Sequence, residues 1–214
     1  DVSESRGLGD VYKRQTYDNE AGIWFKGNYS GDNERAKSAI IHKNIGDYGV
    51  GGLHFCVDDG YDNQNASYAD RKMSITKEGY VTTPGQPSFA AYRAQNDYTL
   101  SGSIFSFNAT RHNVGGHFST STHRFTAPVD GRYLFTFYSI YNSNVNSAYY
   151  TIRINGTAGY GMYNHYTKQN SQWGHVSSNY ILYLNQNDYV DMFSDSSTNW
   201  HGNSWQLFCG QLLS

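Results

Sequence analysis

Residues Tyr133-Leu134-Phe135-Thr136-Phe137-Tyr138-Ser139-Ile140-Tyr141 carry large or apolar side chains at nearly every position. A strand turns successive side chains to opposite faces, so this segment predicts a strand covered on both sides. Such a strand lies in the middle of a sandwich or against a second subunit. Working outward, residues 148–154 alternate more cleanly and place Tyr150, Ile152 and Ile154 on one face. Asn155-Gly156 follows directly, the dipeptide that favours a type I′ hairpin. Residues 180–184, 189–193 and 205–213 supply further strands, eight to ten in all over 87–214. No stretch holds a helical period. The pattern predicts an all-β sandwich or jelly roll.

Upstream, residues 16–81 form short strand-like runs at 23–26, 38–43, 53–57 and 73–76, separated by Gly, Asp and Asn turns. Few aliphatic residues are available to bury a core there, so pairing with copies of the same chain is expected. Pro84 and Pro87 flank Gly85-Gln86, and proline disrupts ladders and restricts its neighbour. The expected division is therefore a short-strand segment at 16–86 and a sandwich domain at 87–214.

Composition removes several classes of function. The 214 residues hold 16 basic and 18 acidic side chains, a net charge of −2. A nucleic-acid groove would need clustered Lys and Arg. No apolar run reaches the ~18–20 residues of a membrane-spanning helix, so no membrane insertion is expected. Twenty Tyr, 11 Phe and 4 Trp argue for a folded chain. Cys56 and Cys209 are too few for a disulfide scaffold and lack metal-ligand spacing.

Several blocks in 87–214 then carry a resemblance. They are Pro87-Ser88-Phe89-Ala90-Ala91-Tyr92, Asn113-Val114-Gly115-Gly116-His117-Phe118, Arg124-Phe125-Thr126-Ala127-Pro128-Val129-Asp130-Gly131-Arg132-Tyr133-Leu134-Phe135 with Phe137, and Asn155-Gly156. Asp188-Tyr189-Val190 and Phe208-Cys209-Gly210-Gln211-Leu212-Leu213 complete the series. In order and spacing this half resembles the globular head of complement C1q, a tumour-necrosis-factor-like jelly roll. His123 and Asn187 stand where that family usually has Gly. The resemblance implies an all-β jelly-roll β-sandwich, with the short-strand segment ahead of it, and a homotrimer packed about a threefold axis. It implies recognition rather than catalysis. No cofactor is expected, and the sequence neither requires nor excludes Ca²⁺ at the trimer axis.

Two further resemblances concern the first half. Residues 5–15, Ser-Arg-Gly-Leu-Gly-Asp-Val-Tyr-Lys-Arg-Gln, match the in-frame translation of a transposase sequencing-library adapter. On that reading the natural chain begins near Thr16, and residues 1–15 pack against nothing. Gly52-Leu53-His54-Phe55, Asp70-Arg71-Lys72-Met73-Ser74-Ile75 and Gly79-Tyr80-Val81 are similar to segments of bacteriophage tail fibres. Together the resemblances imply the distal, receptor-binding end of a trimeric tail fibre, located on a virion. The alternatives are a secreted, extracellular C1q-domain recognition protein and, from another class, a carbohydrate-active enzyme on a jelly roll.

No nucleophile elbow, phosphate-binding Gly loop or paired catalytic carboxylates occur in a recognisable motif. His112, His117 and His123 have the spacing of polar surface residues, and Asp58-Asp59 reads as turn chemistry rather than a calcium site. Four Asn-x-Ser/Thr sequons, at Asn28, Asn65, Asn108 and Asn155, follow from composition. The distinctive feature is a set of aromatic, amide-rich loops. Tyr163, His165, Trp173, Trp200, His201 and Trp205 are the candidate contacts for a cell-surface glycan or protein, because flat rings give contact area at low rotamer cost. The competing reading puts these rings in the subunit interface.

Overall fold

The structure is a computed structural model and describes residues 20–26, 35–141, 147–167, 173–195 and 197–214. The adapter-like residues 1–15 lie outside the described residues. Among the described residues no helix is long and apolar enough to cross a membrane. The chain forms two compact units that divide between Gly85 and Gln86.

The first unit is a five-stranded antiparallel meander. Its strands are β1 (Glu20–Phe25), β2 (Ser38–Asn44), β3 (Gly51–Val57), β4 (Arg71–Ile75) and β5 (Val81–Thr82). One face is covered by the chain between β3 and β4. Ala66 from that segment packs with Ala39, Ile41 and Cys56 in a small buried cluster, and the Trp24 indole N–H donates to the Ala66 carbonyl at 2.8 Å. On the same face the buried His54 Nδ1 lies 2.8 Å from Ser74 Oγ. Asp58 engages Lys37 Nζ at 2.7 Å and accepts the Gly60 N–H at 2.8 Å. The Asp58-Asp59 pair is thus built into a turn.

The second unit contains β6 (Ser88–Tyr92), β7 (Tyr98–Leu100), β8 (Ser103–Ile104), β9 (Ala109–Val114), β10 (Phe118–Ser119), β11 (Arg124–Thr126), β12 (Gly131–Tyr141), β13 (Ser147–Ile154), β14 (Thr157–Thr167), β15 (Gly174–Leu184), β16 (Tyr189–Ser194), β17 (Thr198–Trp200) and β18 (Leu207–Leu212). One sheet runs β10-β11-β16-β13-β14, with β8 also on β16; the other runs β7-β17-β12-β18-β6-β9, with β15 along β12. All pairings are antiparallel. This is the jelly-roll sandwich the motifs imply. The thirteen strands exceed the expected eight to ten because several are two or three residues long, too short to show a period. β15 starts at Gly174 rather than residue 180, since its first half presents polar His175, Ser177 and Asn179 outward. The expected strand at 205–213 begins at Leu207, leaving Trp205 in the preceding turn.

The core lies between the two sheets and is aromatic. Phe89 packs on Phe118, Phe125 and Phe208 at centroid distances of 4.7, 5.1 and 5.1 Å. Phe125, Tyr133, Phe135, Phe137 and Phe208 are fully buried, and Leu212 packs against them. Gly210 has to be glycine: a Cβ there would come within 2.5 Å of the Phe89 ring and 2.8 Å of Phe135. The remaining motif residues shape loops. Asn113 brackets Phe118, donating from Nδ2 to its carbonyl (2.8 Å) and accepting its N–H (3.0 Å). Asp188 receives Asn155 Nδ2 at 2.7 Å and the Asn185 N–H at 2.8 Å, which hold its carboxyl below the usual range. Asn155 and Gly156 both have positive φ, 52° and 79°, as a type I′ turn requires. His123 and Asn187 also sit at positive φ, 59° and 71°, where glycine is the least strained residue. His123 Nδ1 lies 3.1 Å from the Phe107 carbonyl, which anchors its loop.

Candidate functional site

The loop between β17 and β18 builds the most organised aromatic surface of the second unit. His201 N–H donates to the Ile140 carbonyl at 2.8 Å, Asn203 N–H to Gln95 at 2.7 Å and Ser204 N–H to Arg93 at 2.7 Å. Asn203 and Ser204 both hold positive φ, 49° and 69°, so two successive residues turn back sharply. Gly202 is buried, and a Cβ on it would overlap the Gln95 carbonyl oxygen. Backbone hydrogen bonds to two separate segments, the end of β12 and the connection between β6 and β7, therefore fix this loop.

On that base three rings form a row. The His201 ring lies 4.6 Å from Trp173 and 5.9 Å from Trp205, the latter nearly stacked at 28°. Both tryptophans remain 51 % exposed. Asp97, from the turn before β7, completes the group: its Oδ1 lies 2.5 Å from His201 Nδ1 and accepts the Gly202 N–H at 2.9 Å. The result is two flat apolar faces next to one imidazole, with a carboxylate at its edge. Such a surface stacks against the C–H face of a sugar or an aliphatic side chain, while the carboxylate accepts hydroxyl or amide protons.

The predicted contact residues separate into three groups. Trp173, His201 and Trp205 come together in this row. Tyr163 and His165 lie on β14, opposite Thr151 and Tyr149 of β13, in the other sheet. Trp200 is corrected. It is fully buried, 4.7 Å from Phe105 and 5.8 Å from Tyr141, with its indole N–H on Ser194 Oγ at 3.1 Å. Strand β17 turns Trp200 into the sandwich and the next residue outward, so the core takes it. Asp97 escapes sequence reading because it sits 104 residues from His201 in an ordinary polar stretch.

A second surface is the outer side of β12, β15 and β18. Tyr133, Phe135 and Phe137 face the core, whereas Leu134, Tyr138 and Ile140 alternate outward and are only half-buried. Leu134 pairs with Ile181 and Arg132 with Tyr183, both exposed. A cavity of about 220 Å³ opens on this side, lined by Phe89, His112, Leu134, Thr136, Cys209, Gly210 and Gln211. Burial pushes the Cys209 thiol up, against a smaller downward pull from Arg111. On the opposite sheet, fully buried Asp191 bridges Arg153 Nε at 2.7 Å and Arg124 Nε at 3.1 Å. Arg124 covers the Tyr189 ring and Arg153 the Phe193 ring, a rigid structural clamp. Among the described residues no three His, Cys, Asp or Glu side chains gather as a metal site.

The C1q domain family model matches residues 88–213, well over half of the chain. The chain belongs to the C1q family. Its sequence is similar to complement C1q tumor necrosis factor-related protein 3 of mouse, 40 % identical over 91 residues, which are 42 % of this chain and 35 % of that protein. The human protein of the same name is 38 % identical over 91 residues. The chain thus spans about a third of the length of these curated relatives. Among solved structures, the globular domain of zebrafish complement 1qA protein superposes with a TM-score of 0.51 at 18 % identity, covering 60 % of this chain and 98 % of that one. Eiger TNF from S. frugiperda gives a TM-score of 0.51 at 8 % identity, over 61 % and 94 %. At these identities the structural likeness establishes the C1q/TNF jelly-roll fold alone. The first unit lies outside the C1q match.

Proposed function

We propose that this chain is an extracellular recognition protein that works as a homotrimer and binds a cell-surface glycan or protein without chemistry. The observation that carries the reading is the Trp173–His201–Trp205 group: His201 and half-exposed Trp205 on a loop tied down by Asp97, Gln95 and Arg93, with half-exposed Trp173 packed on His201 from immediately before β15. A protein has no reason of stability to hold large rings rigidly in water, whereas a binding face gains from preorganised rings. The homotrimer is supported by the outer side of β12 and β15, where Leu134, Tyr138, Ile140, Ile181 and Tyr183 would be covered by neighbouring copies. Three copies repeat each loop contact, and tethering raises avidity over the single site by ~10²–10⁴.

Membership of the C1q family favours the secreted reading over the tail-fibre one. The tail-fibre reading retains one observation in its favour: a strand meander outside the C1q match precedes the head. The gene neighbourhood separates the two, a virion-structural cluster against an isolated secreted protein.

The binding test is a glycan array and cell-surface binding by the whole chain, with Trp173→Ala and Trp205→Ala singly and together. Binding that falls stepwise supports the row. Unchanged binding by the folded double variant removes it. Release of sugar products would replace binding with catalysis.

A further inference from the structure

The five-stranded sheet of the first unit has one face covered by its own chain and, among the described residues, one face bare. Register places Ile23, Ile40, Phe55 and Met73 opposite one another across β1 to β4. The adjoining rows on the same face are Phe25-Ser38-Val57 and Ala21-His42-Leu53-Ile75-Val81. Among the described strand residues Ser38, His42 and the buried Asn44 are its polar side chains, and none is Asp, Glu, Lys or Arg. Val81 is 62 % exposed, Phe25 50 %, Val57 47 %, Ile23 41 % and Leu53 38 %.

We infer that this bare face is a second self-association surface, packed in solution against the same face of other copies of this chain. Residue surfaces of roughly 150–250 Å², exposed by those fractions, leave on the order of 500 Å² of apolar area from five side chains. Ordinary monomers show at most ~300–600 Å² in their largest patch, and a standard interface buries ~800 Å² per partner. The partly covered Ile40, Phe55, Met73 and Ile75 extend the patch toward that size. Its neutrality selects the occupant. A same-face contact sets every charge against its own kind, which a face without charges tolerates, and cyclic closure then satisfies all copies. The inference rests on the homotrimer reading for one point: a trimerised C1q domain holds three such faces together at an effective concentration near millimolar. Two contact surfaces on one chain also explain how a sheet whose buried cluster is only Ala39, Ile41, Cys56 and Ala66 remains folded.

The test uses the full chain and two pairs of substitutions at exposed positions, Ile181→Asp with Tyr183→Asp on the C1q domain and Val57→Asp with Val81→Asp on the first unit. Light scattering across a dilution series should give a trimer for the unmodified chain. The Ile181/Tyr183 variant should still associate through the bare face, weakened by ~10²–10⁴-fold as one of two tethered contacts is lost. The fourfold variant should be a monomer with an unchanged circular dichroism spectrum. Hydroxyl-radical footprinting of the unmodified trimer should show Phe25 and Leu53 protected severalfold relative to the fourfold variant. An Ile181/Tyr183 variant that is monomeric at every concentration, with Phe25 and Leu53 equally reactive in trimer and monomer, overturns this inference and leaves the homotrimer reading standing. A monomeric unmodified chain overturns both the homotrimer reading and this inference, and protection of these residues in that monomer assigns the face to cover from its own chain.

Discussion

Trp200→Ala separates core from contact surface. Trp200 is fully buried between Phe105, Tyr141 and Tyr150, at ring distances of 4.7, 5.8 and 6.4 Å. Its indole also donates to Ser194 Oγ. Truncating a buried Trp removes its transfer energy and leaves a cavity, a loss of ~3–5 kcal/mol. Against a total of ~5–15 kcal/mol that is a large fraction, and it lowers the melting temperature by about 6–20 °C. Trp173→Ala and Trp205→Ala remove half-exposed rings from the surface, so each changes stability by about 0.5 kcal/mol or less. The assay is thermal unfolding by circular dichroism at one fixed protein concentration, because assembly shifts the transition. Binding is measured on the same samples below their transitions. The expected result is a cross-over: Trp200→Ala unstable yet binding in the cold, Trp173→Ala stable yet weakened in binding. A Trp200→Ala chain that melts normally and no longer binds would refute both the burial argument and the site assignment.

Three other changes probe the C1q domain. Gly210→Ala drives a methyl group into the Phe89 and Phe135 rings and should cost ~1–3 kcal/mol in denaturant titration; a neutral result would mean the core yields more easily than its packing suggests. Asp191→Ala leaves Arg124 and Arg153 without their shared carboxylate and should cost ~3–5 kcal/mol or somewhat less, since both guanidiniums reach solvent; a change under 1 kcal/mol in the same titration would contradict that. Burial pushes the Tyr98 hydroxyl up to about 12 from its ordinary 10.0. A raised value means that the stabilisation is complete below pH 10 and is lost as pH rises towards 12, a fall of a few kcal/mol. Tyr98→Phe should flatten stability over that window, and an equally steep fall in the variant would assign it to other groups.

The fold was legible where chemistry is local. The Asn155-Gly156 turn was legible from its own local chemistry, whereas the Phe125–Gly131–Tyr133 block and the terminal Phe208-Cys209-Gly210 segment were legible only through the family resemblance, since Gly210 is held by Phe89 and Phe135 far away in sequence. The strand 133–141 was legible too, with one face in the core and Leu134, Tyr138 and Ile140 on the other. Strands of two or three residues were not, because alternation needs several positions to show. The ring row was half legible. Trp173, His201 and Trp205 stood out as aromatic loop residues, but so did Trp200, and in a run of Trp-His-Gly nothing marks which ring turns inward. That choice is made by strand β17, whose single pairing to β12 at Tyr141 sets the parity. Asp97 is invisible for the same reason, as its role depends on a partner brought close only by the sandwich. The bare face of the first unit needed the register of four strands to assemble, since no single run is long enough to show it.

The account centres on a trimeric binding module, and the mass of the intact chain in solution tests that most directly. Multi-angle light scattering at micromolar concentration should return three times the 24.2 kDa chain mass, with the trimer persisting on dilution. A single folded species at 24.2 kDa would contradict the account, because Leu134, Tyr138, Ile140, Ile181 and Tyr183 on the outer side of β12 and β15 would then face water with nothing to cover them.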